Sequence, residues 1–265
     1  MEKKYILVTG ACGGMGMATV KLLTEQGYTV FALDRTEYAP TDGVISVTCD
    51  LTDEKQVETA SEKVREYTDS LFAVVHFAGI YMLDSLVEIG TDAFDKILDI
   101  NLRGAFLVNK AFLPFLSEGS RIIITTSELA PLDPLPFTGI YAVTKGALDK
   151  YAYSLRMELQ LLGISVSVLR AGAVKTDMLG VSTTALDKFV ENTKLYSCNA
   201  TRFKNIVERV EARNITTDKL GEKVVKILCK SRPRFAYSIN RNPLLLMLNI
   251  LPKHFQLWII KQVLK

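Results

Sequence analysis

In Tyr141-Ala142-Val143-Thr144-Lys145 a phenol and an ammonium stand four residues apart, the pairing in this sequence best suited to chemistry. On a helix that spacing puts both side chains on one face. A free phenol, with a pKa of about 10, is a poor base at neutral pH. A neighbouring ammonium favours phenolate and brings the group toward the working range, where it can take a proton from an alcohol. Tyrosine and lysine at this spacing also occur on ordinary solvated helix faces, so the company they keep decides their meaning. Ser127 follows the apolar run Ile122 to Ile124, a place where the carboxyl edge of a parallel sheet converges on a ligand. Asn101, in Asp99-Ile100-Asn101-Leu102, lies inside a stretch of helical pattern, where an amide competes with the backbone for hydrogen bonds.

A second constellation lies near the N-terminus. Thr9 to Gly16 reads TGACGGMG, directly after an apolar run and before a helical pattern that begins near Met15. Gly10, Gly14 and Gly16 suit a tight strand-to-helix turn whose bare backbone lets a pyrophosphate approach the amides of a helix N-terminus. Asp34 ends the next apolar run, eighteen residues after Gly16. A carboxylate there accepts hydrogen bonds from ribose hydroxyls and repels a phosphate on the same ribose, which favours NAD(H) over NADP(H). Arg35 argues the other way, since a guanidinium beside that ribose can pair with a phosphate or stack on adenine.

These residues need a scaffold, and the sequence supplies one. Apolar, β-rich runs at Tyr5 to Val8, Val30 to Leu33, Val44 to Val47, Leu71 to Val75, Ile122 to Ile124 and Val166 to Leu169 alternate with helical patterns. Continuous apolar strands joined by crossovers predict an α/β fold, a Rossmann-type doubly wound parallel sheet with helices on both faces. Phe94 to Leu116 and Tyr141 to Leu162 have helical periodicity. After Gly180 the alternation stops; residues 180–215 read as a substrate-side insertion, followed by a helix from Lys219 to Cys229. The tail, residues 240–265, pairs the apolar run Leu244 to Leu251 with an amphipathic stretch from His254 to Leu264, separated by Pro252. It reads as a packed helix, a lid over an apolar substrate or an interfacial membrane contact. The expectation is one domain over residues 1–265 with a C-terminal extension on the substrate side.

A chain of 265 residues, 48% hydrophobic and 23% charged, has the composition of a globular protein. Its four cysteines, Cys12, Cys49, Cys198 and Cys229, are scattered without metal-ligand or redox spacing. Free thiols in a cytoplasmic setting are expected, with no metal site and no nucleic-acid partner. Lys and Arg number 18 against 25 Asp and Glu in residues 1–199, and 14 against 4 from residue 200 onward. Such a basic end suits an anionic partner or a solvated helix face.

Thr-Gly-x-x-x-Gly-x-Gly followed by Tyr-x-x-x-Lys resembles the short-chain dehydrogenase/reductase family. Asp50 and Leu51 resemble its adenine-contacting pair, and His76-Phe77-Ala78-Gly79 stands where the family usually has Asn-Asn-Ala-Gly. The resemblance implies that Tyr141 exchanges a proton with substrate, that Lys145 lowers its pKa and holds the nicotinamide ribose, and that Ser127 orients the carbonyl. Thr126 and Glu128 are alternative occupants of the Ser127 place. Asn101 resembles the family asparagine that distorts its helix and completes a proton relay. Gly172, in Ala171-Gly172 where the family has Pro-Gly, together with Val174 and Thr176, would meet the nicotinamide. Leu132, Leu135, Phe137, Met178, Leu179 and Val181 are expected to wall the substrate site. An apolar wall suits a greasy ring system or long chain, and the hydroxysteroid and retinol dehydrogenase branch is the nearest match. A 3-oxoacyl thioester reductase and a nucleotide-sensing protein without turnover are the rival functions. The family's helix-mediated association implies a dimer or tetramer.

Overall fold

The computed structural model describes residues 4–175, 177–211 and 213–265, with side chains for all of these except 177–184 and 210–211. The first half runs β1 (Tyr5–Thr9), α1 (Gly14–Glu25), β2 (Thr29–Asp34), β3 (Val44–Thr48), α2 (Glu54–Arg65), β4 (Ala73–His76), α3 (Thr91–Leu98), a π-helical turn (Asp99–Arg103), α4 (Gly104–Phe112) and β5 (Arg121–Ser127). The second half runs α5 (Gly139–Leu159), β6 (Ser165–Ala171), β7 (Val174–Lys175), α6 (Asp177–Asn192), α7 (Ser197–Glu211), β8 (Ile215–Thr216), α8 (Thr217–Leu228), β9 (Ala236–Ile239), α9 (Pro243–Ile250) and α10 (Lys253–Leu264). Seven strands form one parallel sheet in the order β3-β2-β1-β4-β5-β6-β9, and β7 pairs with β8 in a small ribbon beside it.

Both sheet faces are apolar, as continuous hydrophobic strands require. Successive residues of a strand point to opposite faces. Thus Leu7, Ile122 and Ile124 pack with Val57, Val108 and Leu148 from α2, α4 and α5. Ile6, Val8 and Ile123 pack on the other side with Val20 and Leu23 of α1 and Val224 of α8.

The structure refines three expectations. The helix read over Phe94 to Leu116 is interrupted by the π turn that holds Asn101. β4 starts at Ala73, two residues later than its apolar run, because the Leu71 and Phe72 amides donate to Phe115 and Tyr5 carbonyls outside the ladder. The final strand, β9, was not among the apolar runs. It is short and mixed, and its pairing of Ala236 with Val168 of β6 makes it a strand.

Candidate active site

Tyr141 and Lys145 lie in the first two turns of α5, which starts at Gly139 above the carboxyl end of β5. The ring of Tyr141 meets Tyr81 edge-on at 4.9 Å between centroids. Lys145 Nζ lies 5.8 Å from the Tyr141 ring centroid and donates to the Thr125 carbonyl at 3.4 Å. Ser127, at the end of β5, hydrogen-bonds Tyr141 and accepts from the Leu129 amide at 3.2 Å. Gly79 closes on the pair from the opposite side: a Cβ there would come within 3.2 Å of both Lys145 Nζ and Asn101 Oδ1.

Burial dominates the electrostatics. It pushes the Tyr141 phenol up to about 12, against the opposing hydrogen bond from Ser127. It pushes Lys145 down to about 8. Desolvation of the anion is thus the larger effect on the phenol; the expected shift toward neutrality rests on the ammonium together with an oxidised nicotinamide ring.

Asn101 is buried, and its side chain is fully engaged. Oδ1 accepts from the Ile80 amide at 2.7 Å, while Nδ2 donates to the Ile80 carbonyl at 3.0 Å and to Thr144 Oγ1 at 3.1 Å. The π turn places this amide so that it ties the strand-end segment at Ile80 to the helix carrying the tyrosine and lysine. One turn beyond Lys145, Asp149 forms a two-pronged ion pair with Arg170 of β6, at 2.9 and 2.7 Å, which fixes α5 over the sheet.

Beside this cluster runs a cleft of about 400 Å³ lined by the glycine-rich turn, Asp34, Arg35, Asp50, Leu51, Ala78 and Gly79. The turn is glycine-dependent: Gly10 has φ +64°, and a Cβ on Gly16 would lie 2.1 Å from the Gly10 carbonyl oxygen. α1 begins with no capping side chain and no acid in its first turn, so its amides are open to an anion. Asp34 holds the turn in place, accepting from the Cys12 amide at 3.0 Å and the Thr36 amide at 3.2 Å. The Thr52 amide and hydroxyl on Asp50 hold its carboxyl below the usual range. The pyrophosphate of a dinucleotide fits the glycine turn and the open amides of α1.

Met15, Gly79, Ile80 and Tyr81 border both this cleft and a second cavity of about 360 Å³. Thr125, Ser127, Tyr141, Lys145, Gly172 and Val174 line that second cavity. Leu135 is there as expected. Leu132 and Phe137 are not among its lining residues; Phe137 adopts φ +65° and packs against Phe189, Tyr196 and Phe203 instead, anchoring α6 and α7. Thr176 and the side chains of Met178, Leu179 and Val181 lie outside the described residues.

The rest of the apolar wall comes from Phe203 and Ile206 of α7, Leu245 and Leu248 of α9, and Ile260 and Leu264 of α10, in segments expected on the substrate side but at residues not singled out there. Their apolar spacing was visible, but not the face they turn to the cavity. Glu128 also lines it; its Oε2 accepts from the Asn242 amide at 2.6 Å, coupling the Ser127 loop to the start of α9, and burial raises its pKa.

Residues 4–187 match the family model described as short chain dehydrogenase. The chain belongs to this family. The short-chain dehydrogenase is 32% identical over 192 residues to estradiol 17-beta-dehydrogenase 2 of Mus musculus, a match covering 68% of this chain and 50% of that protein. It therefore spans about half the length of that relative. It is 25% identical over 236 residues to 3-ketodihydrosphingosine reductase of Bacteroides thetaiotaomicron, covering 89% of this chain and 87% of that one. Its fold matches that of a short chain dehydrogenase family protein from Francisella tularensis, with a TM-score of 0.76, 22% identity and coverage of 90% and 97%. As a member of this oxidoreductase family it carries the hydroxyl, phenol and ammonium of Ser127, Tyr141 and Lys145 on one cavity wall. At the family's usual asparagine it carries His76, which is buried with Nε2 3.0 Å from Asn109 Oδ1.

Proposed function

We propose that this short-chain dehydrogenase interconverts a hydrophobic secondary alcohol and its ketone with NAD(H), a hydroxysteroid being the leading substrate class. The observation that carries this reading is the apolar cavity with Ser127, Tyr141 and Lys145 in its wall, adjoining the dinucleotide cleft. A largely apolar cavity with a few convergent polar groups orients a greasy substrate by its one polar atom.

In this mechanism Ser127 holds the substrate oxygen while Tyr141 takes the proton from the alcohol, or returns it to the alkoxide in the reverse direction. Bound NAD supplies the hydride acceptor and, when oxidised, a positive ring. With burial holding the phenol at about 12, Tyr141 needs that added positive charge beside Lys145 to become a base near neutral pH. Lys145 would hold the nicotinamide ribose. Asn101 keeps the Ile80 segment and α5 in register. The glycine turn and α1 amides would receive the pyrophosphate, and Asp34 the adenosine ribose.

Nicotinamide absorbance, followed with NAD or NADP and a panel of hydroxysteroids and long-chain 3-keto lipids, tests the proposal. Tyr141→Phe is expected to lower kcat by roughly 10²- to 10⁴-fold while NADH still binds. Asp34→Ala is expected to improve kcat/KM for NADP relative to NAD by roughly ten-fold, since one repulsive charge leaves the ribose site. NADP preferred by the parent protein would sink the cofactor assignment. A second substrate class is a long-chain 3-keto lipid, favoured by the similarity to the Bacteroides 3-ketodihydrosphingosine reductase, which extends over 89% of the chain.

A further inference from the structure

The two C-terminal helices have a dual exposure that the reaction does not explain. Leu245, Leu248, Ile260 and Leu264 turn into the cavity, but Leu244 and Val263, which also line it, are 62% and 51% exposed. These two therefore stand at the mouth. Beyond them the apolar surface continues outward. On α9, Met247 and Ile250 follow Leu244 at intervals of three, and Ile250 is 82% exposed. On α10, Phe255, Leu257 and Trp258 are all more than half exposed. So many large apolar side chains around one opening are more than the scattered exposure of an ordinary surface.

Charge identifies what covers them. From Arg241 to Lys265 there are four Lys and Arg and no Asp or Glu. Lys253 pairs with Asp133, but Lys261 of α10 and Lys265 just after it, both exposed, make no ion pair among the described residues. A second copy docked through a two-fold axis on this segment would face these lysines with a segment that holds no acid to pair them. Aromatic and aliphatic side chains interleaved with lysine are suited to lie in the headgroup boundary of an anionic bilayer. α9 has eight residues and α10 twelve, and no helix among the described residues is long and apolar enough to cross a membrane.

The geometry points to α9 and α10 as an interfacial docking surface for an anionic phospholipid membrane, with the cavity mouth between Leu244 and Val263 turned toward the lipid. An apolar ketone or alcohol then passes from bilayer to active site without crossing water. Delivery of substrate rests on the function proposed above, but docking does not, so the two fail separately.

Trp258 is the only tryptophan in the chain, and it lies on the docking surface, 59% exposed. Its emission in the 265-residue chain is followed while vesicles of phosphatidylcholine, with or without phosphatidylglycerol, are added. The expected result is a shift to shorter wavelength with phosphatidylglycerol, reversed by salt, with the protein co-sedimenting with those vesicles. Lys261→Gln and Lys265→Gln are expected to weaken binding roughly five-fold each, from about 1 kcal/mol per basic residue near an anionic surface. Leu257→Asp, at an exposed position off the cavity wall, is expected to abolish vesicle binding while NADH binding stays unchanged. No emission change and no sedimentation with phosphatidylglycerol vesicles overturns the proposal. So does a dimer, formed without lipid, that Leu257→Asp dissociates, since a second copy then covers the surface.

Discussion

At the scale of single residues, the buried histidine has a consequence of its own. His76 Nε2 faces an acceptor oxygen on Asn109, whose Nδ2 donates to Tyr151 Oη at 3.1 Å, so the ring is neutral with its proton on Nε2. Burial holds its pKa down at about 4, below the unfolded value of 6.5. A depressed folded pKa means that the unfolded chain binds the proton first as the pH falls. Stability is therefore full above pH of about 6.5 and declines toward pH of about 4, by on the order of 3 kcal/mol in total. Urea unfolding at several pH values is expected to show this slope, and His76→Asn is expected to flatten it. The same physics separates His76 from Tyr141. Burial makes the histidine an inert neutral donor, whereas the buried phenol has the Ser127 hydroxyl as a hydrogen-bond partner and the Lys145 ammonium nearby, both of which favour its anion. The tyrosine and lysine pair was legible from its four-residue spacing; the depth of its burial, which raises the phenol, was not, because burial is invisible in a spacing.

At the scale of elements, α5 carries both reacting side chains, and its position over the sheet depends on the Asp149–Arg170 pair, which Thr126 Oγ1 also approaches at 3.4 Å. Asp149→Ala leaves a largely buried guanidinium without its partner, and a loss of about 3 kcal/mol is expected, read from denaturant midpoints. Because Tyr141 and Lys145 shift with the helix, kcat is expected to fall as well, although neither side chain is altered. The β-rich runs of the first six strands were readable because each is apolar on both faces. β9 was not, because Tyr237 is its one deeply buried residue and only the edge of β6 gives its backbone a partner. Residues 180–215 were read as a polar, helix-prone insertion, and α6 and α7 are there. Their attachment through Phe137, a bulky residue at positive φ, had no local signal.

For the whole molecule, the outer faces of α4 and α5 expose Phe106, Tyr153 and Met157 on the opposite side of these helices from the sheet. The oligomer implied by the family resemblance would use such helices. Light scattering is expected to give a mass above that of one chain, and Phe106→Asp is expected to lower it; a monomer for the parent protein would refute the association. The sequence by itself determined the doubly wound scaffold and the glycine turn with Asp34, which rest on strands apolar over their whole length and on local spacing, and, through the family resemblance, the set Asn101, Ser127, Tyr141 and Lys145. The tertiary structure decided the rest. Leu245, Leu248 and Ile260 lie more than a hundred residues from Ser127 in sequence, and the pairing of β9 with the sheet and the Asn242 amide's bond to Glu128 hold their segment against its cavity. A periodic pattern says that a helix has an apolar face, but which cavity or surface that face meets is fixed by packing between distant segments.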